Sequence, residues 1–404
     1  MNNQGRENHM PTLLYGSAES IDSSNIFLQS LMQNNQSGWK ELLNIVLSSP
    51  WLFPKSKILF PYLGMHNDLD ALLKTMGHKS KKIIILGFNW HWQAMAQNNI
   101  YTLVRFTRTT NYIVAVGDEL SLLVCIELNL PCYNASSHML NFQKNISITH
   151  EGLFNDPYYL VIVWYLIPLY LDILRKGFTI MKSDIDISYA GKDIWKTFEL
   201  MIEKTGADLI FMREHPINTG QFYAVPNDRV IAFFEEWIAS QRMFKTQNDQ
   251  QALANLNEKT YMTCHSKETC SRVQTLLMKH SPDYQLRTNN YTRKMAAVLT
   301  YPSSFTRFGG ICPPTRTINP CDQDVLYVHV ICMTGAQAKI NKLKQLGFWL
   351  MTDPCTMTKP DALFGSSMFA NISLTRCIPI PHLWSTVENS FLHCHNADYV
   401  ISMS

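Results

Sequence analysis

From Lys81 onward the chain alternates short apolar runs with stretches of helical period, and that alternation restricts the fold more than any other feature. Ile83-Ile84-Ile85-Leu86-Gly87 reads as a buried strand, followed by a helix over about 91–106. Tyr112-Ile113-Val114-Ala115-Val116 reads as the next strand, leading through Gly117-Asp118 into a helix to 128 and a short strand near Cys132. A long apolar helix over about 158–176 stops at Gly177, a residue suited to the left-handed position after a helix end, and a strand over 178–181 follows. Further strands are expected over 207–212, 218–224, 296–299 and 326–331, with helices over 195–204, 228–241, 249–256 and 336–346. Repeated strand–helix alternation argues for a Rossmann-like, three-layer α/β/α arrangement around a mostly parallel central sheet. Residues 1–78 read as an N-terminal extension, 79–352 as the main domain and 353–404 as a C-terminal segment packed on it.

Ser183-Asp184-Ile185-Asp186 sits where the fourth strand ends, and ligands of open α/β sheets bind at the carboxyl ends of strands. In an extended chain Asp184 and Asp186 point to one side and Ile185 to the core. Two hard oxygen ligands on one side suit Mn²⁺ or Mg²⁺, which neutralises the phosphates of a leaving nucleoside diphosphate. His329 follows the apolar Val325-Leu326-Tyr327-Val328 and precedes Gly335 and Lys339. A neutral imidazole suits a borderline cation, and a glycine at a helix start with a lysine one turn on suits a diphosphate.

Composition narrows the alternatives. The net charge of +3, from 35 basic and 32 acidic residues, advertises no nucleic acid partner. The sequence lacks a Gly-x-x-x-x-Gly-Lys-Ser/Thr phosphate loop and a second acidic cluster, which speaks against a nucleoside triphosphate hydrolase or nucleotidyltransferase.

Four motifs stand in order: Lys182-Ser183-Asp184-Ile185-Asp186; Ile217-Asn218-Thr219-Gly220-Gln221-Phe222-Tyr223; Asn248-Asp249-Gln250 with Asn255 beyond; and Phe308-Gly309-Gly310 with Val328-His329, Gly335, Lys339 and Leu346-Gly347-Phe348-Trp349. Together they resemble the nucleotide-diphospho-sugar transferase family, which includes plant cell-wall xylosyl- and arabinosyltransferases, over about residues 80–352. The resemblance implies a GT-A fold and transfer of a sugar, with retained configuration, from a UDP-sugar donor to a hydroxyl of a glycan or glycoprotein acceptor. It implies a Mn²⁺ ion (or Mg²⁺) at Asp184, Asp186 and His329. It further implies donor contacts from Asp118, Asn218, Gly220, Gly335 and Lys339, with Asp249 and Gln250 at the reacting sugar. A catalytically silent relative that keeps the nucleotide-sugar pocket as a scaffold is the alternative.

Ten cysteines with no paired Cys-x-x-Cys spacing favour a few disulfides, and five Asn-x-Ser/Thr sequons begin at Asn35, Asn134, Asn145, Asn290 and Asn371. With the resemblance, they imply the Golgi lumen. Residues 1–24 are polar and show no signal or membrane anchor, an expectation that leaves the cytoplasm open. The uncharged run over 157–171, broken by Pro168, reads as a core helix.

Overall fold

A computed structural model describes residues 65–77, 80–107, 109–128, 130–139, 156–189, 194–213, 217–260, 263–264, 298–302, 308–311, 326–351, 355–358 and 374–377. The sequons at Asn35, Asn145, Asn290 and Asn371 lie outside these residues, as do most of the extension over 1–78 and Cys270, Cys312, Cys321 and Cys394.

Among the described residues the central sheet has eight strands. Their order is β3 (Cys132–Asn134), β2 (Tyr112–Val116), β1 (Lys82–Gly87), β4 (Thr179–Ser183), β7 (Asn218–Ala224), β6 (Leu209–Arg213), β9 (Val298–Pro302) and β8 (Thr263–Cys264). All neighbouring pairs run parallel except those of β7, which is antiparallel to both β4 and β6. The mostly parallel sheet expected from the alternation is therefore observed, with one reversed strand set beside the acidic triplet.

Helices cover both faces, and the strand side chains divide between them with period two. Ile84, Leu86, Val114, Val116, Met181 and Met212 belong to the core shared with α2 (Gln93–Thr107), α3 (Glu119–Glu127) and α5 (Ile194–Thr205). Ile83, Ile85, Ile113, Ile180, Phe211 and Phe222 belong to the opposite core, under α1 (Leu69–Met76), α4 (Pro157–Arg175), α6 (Asp228–Ser240) and α7 (Asp249–Thr260). Ile83 through Leu86 are wholly buried on both faces, so each contributes about 1.5–3 kcal/mol of apolar transfer.

Helix α4 begins at Pro157, where a proline costs no hydrogen bond, and Asp156 caps it by accepting from Tyr159 N at 2.6 Å. By length and composition alone α4 is apolar enough to cross a membrane. Here it lies against the sheet, with Trp164, Tyr165, Leu169, Tyr170 and Ile173 buried in the core with Ile83 and Ile180. That is the core helix expected over 157–171.

A second, three-stranded sheet holds β10 (Phe308–Ile311), β11 (Tyr327–Val330) and β5 (Ile187–Tyr189), with β11 parallel to β10 and antiparallel to β5. Its register sets His329 opposite Ile187, one residue past the acidic triplet. After β11 comes α8 (Ala336–Gln345). The C-terminal piece pairs β12 (Thr356–Thr358) with β13 (Leu374–Arg376), joined by a Cys355–Cys377 disulfide. It is tied to α2 through Thr375 N to Gln93 Oε1 at 2.7 Å, Gln97 Nε2 to Thr375 O at 2.8 Å and Cys377 N to Gln97 Oε1 at 3.0 Å. A second disulfide, Cys125–Cys132, links α3 to β3, and Cys332 is also disulfide-bonded.

Asn98, buried on α2, holds three elements together. Its Nδ2 donates to Ser188 Oγ at 2.6 Å and Phe348 O at 3.2 Å, while its Oδ1 accepts from Leu350 N at 2.8 Å. Asn98→Ala leaves the Leu350 amide buried without its acceptor, and should cost about 2–3 kcal/mol in urea unfolding monitored by circular dichroism.

Candidate functional site

Strand β4 runs out at Ser183, and the chain turns at once: Ile187 N donates to Asp184 O at 3.3 Å. The extended geometry expected for Asp184-Ile185-Asp186 is thus replaced by a turn. The cause is the hand-over between sheets, since β4 ends in the central sheet and β5 starts in the second one after only three intervening residues. Ile185 is buried in the core as expected, and the two carboxylates still converge.

Two neighbours hold the turn. Asp184 N donates to Gly220 O of β7 at 2.7 Å. From α2, the fully buried Asn99 donates through Nδ2 to Asp184 O at 2.9 Å and Ile187 O at 2.8 Å. Neither side of this clamp could move without releasing the triplet.

His329 completes the cluster from β11. Its Nε2 lies 3.2 Å from Asp186 Oδ1 and 3.8 Å from Asp184 Oδ2, and one potential ligand atom from each of the three residues falls within 4.8 Å of the others. Asp186 Oδ1 is buried and makes no well-formed hydrogen bond among the described residues. Two carboxylates and an imidazole brought together with one oxygen left over fit a divalent cation.

Glycine at 220 is required by this packing. A Cβ there would meet His329 Cε1 at 2.4 Å, Asp184 Oδ2 at 2.5 Å and Asn218 Oδ1 at 2.7 Å. Asn218 Oδ1 also accepts from Gly220 N at 2.7 Å, which folds the strand start back onto itself.

Gly335 caps α8 with φ of 86°, the left-handed region that favours glycine, and Lys339 one turn on reaches back to Asp186 Oδ2. The Lys339 ammonium also sits 5.9 Å from the centre of the Trp92 ring, in the loop after β1. Burial alone would raise the Asp186 carboxyl, but Lys339 and His329 beside it hold it well below the usual carboxylate range.

Beneath the turn, Lys182 Nζ donates to Thr219 O at 2.7 Å and pairs with Asp184 Oδ1 at 2.6 Å. The start of α7 is fastened to the same strand, because Thr219 N donates to Gln250 Oε1 at 3.1 Å, and to α6, because Trp237 Nε1 donates to Asp249 O at 3.0 Å. Asp249 is buried there, with its side chain hydrogen-bonded to Thr219.

The structure therefore gathers Asp184, Asp186, His329, Lys339, Gly335, Asn218, Gly220, Asp249 and Gln250 around the ends of β4, β7 and β11. Asp118 is the exception. Its carboxylate accepts from Ser121 N at 2.8 Å and Ser121 Oγ at 2.5 Å to cap α3, and burial pushes it up. Three contributors escaped sequence reasoning: Asn99, Lys182 in this role, and Trp92. The run Gln97-Asn98-Asn99 inside an otherwise apolar helix was the available signal for the first.

The sequence profile of the nucleotide-diphospho-sugar transferase family matches residues 107–343. The chain belongs to this family. Its fold, a mostly parallel sheet between two helical layers, is the one expected of a GT-A member of the family. An uncharacterized protein of Arabidopsis thaliana is 23% identical over 144 residues, 36% of this chain and 42% of that protein, so the match spans under half of its length. Among solved structures, mouse xyloside xylosyltransferase 1 in its apo form matches at 11% identity and a TM-score of 0.31, over 54% of this chain and 96% of that one. The glycosyltransferase GlyE of Streptococcus pneumoniae matches at 12% identity and 0.30, over 43% of each chain. The galactosyltransferase LgtC, solved with donor and acceptor sugar analogues, matches at 12% and 0.28, over 54% of this chain and 86% of that one. Family membership stands on the profile match and not on these distant likenesses.

Asp249 makes the stability of the fold here pH-dependent. Burial pushes its carboxyl up to about 6, partly offset by Lys182 and by the Thr219 hydrogen bond. A raised carboxyl contributes stability that is full below its unfolded value near 4 and is lost as pH rises through about 6. Metal-free protein should therefore lose about 2–3 kcal/mol between pH 4 and pH 7.5 relative to Asp249→Asn, measured by paired urea titrations.

Proposed function

We propose that this family member is a glycosyltransferase that moves a sugar from a UDP-sugar to a hydroxyl of a glycan or glycoprotein, with Mn²⁺ (or Mg²⁺) as its ion. The observation that carries the reading is the convergence of Asp184, Asp186 and His329 with Lys339 at the start of α8. Asp184, Asp186 and His329 would hold the ion. Bound there, it would neutralise charge on the departing diphosphate.

The remaining residues have roles of their own. Lys339 would release Asp186 and turn its ammonium to the diphosphate, at a helix start where backbone amides and the helix dipole also favour an anion. Gly335 lets the backbone approach closely there. Asn218 and Gly220 would shape the floor under the donor sugar, and Asp249 and Gln250 would face that sugar from α7.

Gln250 offers an amide where a double displacement would call for a carboxylate nucleophile. A front-face course, in which the leaving diphosphate oxygen takes the acceptor hydroxyl's proton as the new glycosidic bond forms, needs no protein base and supports retention of configuration. Asp118 enters this reading only as the cap of α3.

The disulfides Cys125–Cys132 and Cys355–Cys377 support passage through an oxidising compartment such as the Golgi lumen. The sequons agree with it.

A panel of UDP-sugars assayed for hydrolysis and transfer, with Mn²⁺ and with EDTA, tests the proposal. Turnover should require the ion, and Asp186→Asn should lower kcat/KM by about a hundredfold or more while the far-ultraviolet spectrum stays that of the wild type. Undiminished turnover in EDTA would sink the metal role. UDP binding without turnover of any donor would instead mark a silent scaffold.

A further inference from the structure

Lys182 has a place in this site that no motif gives it. It projects from β4 on the face that carries Ile180, and only 7% of the residue is exposed. An ammonium so buried is tolerated only when paired and hydrogen-bonded. Lys182 meets both conditions, through Asp184 Oδ1 at 2.6 Å and Thr219 O at 2.7 Å.

The pairing divides the Asp184 carboxylate. One oxygen is turned to Lys182, while Oδ2 is left toward His329 Nε2 at 3.8 Å. The second carboxylate is treated alike, since Asp186 Oδ2 is taken by Lys339 and Oδ1 faces His329. Each acidic side chain of the turn thus carries its own ammonium. Asp249, buried at the start of α7, feels the charge of Lys182 without an ion pair at contact distance.

The two lysines differ in what they can do. Lys339 stands on the first turn of a helix and retains 16% side-chain exposure, so it can swing toward an arriving anion. Lys182 is fixed to a strand carbonyl inside the sheet and stays.

We infer that Lys182 is a resident counter-ion of the acidic turn, which keeps a divalent cation weakly held until an anionic donor supplies the missing negative charge. The inference rests on the metal reading of the same three residues. Its physical basis is Coulombic: a dication entering beside Asp184 meets a carboxylate already half neutralised by a fixed positive charge a few ångströms away. A diphosphate, drawn to Lys339, restores the deficit. Lys182 is in this sense a positioning residue that acts through Asp184.

Mn²⁺ binding measured by electron paramagnetic resonance, with and without UDP, tests it on the full chain. Wild-type protein should bind Mn²⁺ weakly alone and about tenfold or more tightly with UDP. Lys182→Met should bind Mn²⁺ alone about tenfold more tightly, with the gain from UDP correspondingly reduced. Lys182→Arg, which keeps the charge, should behave as the wild type. Lys182→Gln, whose amide can keep the hydrogen bond to Thr219 O, should shift Mn²⁺ affinity in the same direction as Lys182→Met and gives the readout even if the methionine variant fails to fold. Unchanged or weaker Mn²⁺ binding in folded Lys182→Met, or in folded Lys182→Gln, would overturn the counter-ion role. Wild-type protein that binds no Mn²⁺ even with UDP would instead overturn the metal reading itself.

Discussion

Two carboxylates one residue apart, with Asp186 buried, repel each other unless a proton or positive charge lies beside them, and here the site is organised by the charge that answers that requirement. Ion pairs join Asp184 to Lys182 and Asp186 to Lys339, and His329 stands between the two acids. Each partner comes from a different element: β4, α8 and β11. Satisfying the charges therefore fixes the relative placement of both sheets and of the helix that follows β11. The cost of desolvating these groups is offset only if all partners are in place, so the cluster is assembled by the fold as a whole.

The backbone serves the same requirement. The chain leaves the central sheet at Ser183 and enters the second sheet at Ile187, and the triplet is the junction. Gly220 O and Asn99 Nδ2 bond the main chain of this junction, leaving its carboxylates unencumbered by main-chain partners. Gly220 is the narrowest point, because any side chain there would occupy the space of His329 and Asp184 at once. Chemistry-bearing groups thus sit on a turn whose main chain is hydrogen-bonded on both sides to its neighbours.

Much of this was legible in the sequence, for reasons tied to individual residues. The strand over 82–87 is buried on both faces, so it reads as a continuous apolar run, and the strand before the acidic triplet carries a similar signal. Asp184, Asp186 and His329 were legible through residue type and company. The antiparallel course of β7 and the pairing of β5 with β11 were not, because a three-residue strand joined to a partner some 140 positions away (Ile187 to His329) leaves no local period. Ile185 misled in an instructive way: an apolar residue between two acids looks like strand alternation, yet a turn buries it just as well. Asp118 stands at a strand end and also caps a helix, since an aspartate before a helix answers to both descriptions.

Lys182 marks the limit of pattern reading. A lysine at the end of an apolar strand suggests where the strand meets water, and its neighbours in sequence support that. Only the closeness of Thr219 and Asp184, brought by an antiparallel strand and a turn, makes it an interior cation. Lys182 is part of the strand where a bound ion is not, so the acidic turn has one partner built into the sheet beside it. A site built this way separates two tasks that a bare pair of aspartates would merge. Staying folded without a ligand is met by Lys182 and Lys339, while in the proposed function binding one would be met by what Lys339 can give up and Lys182 cannot.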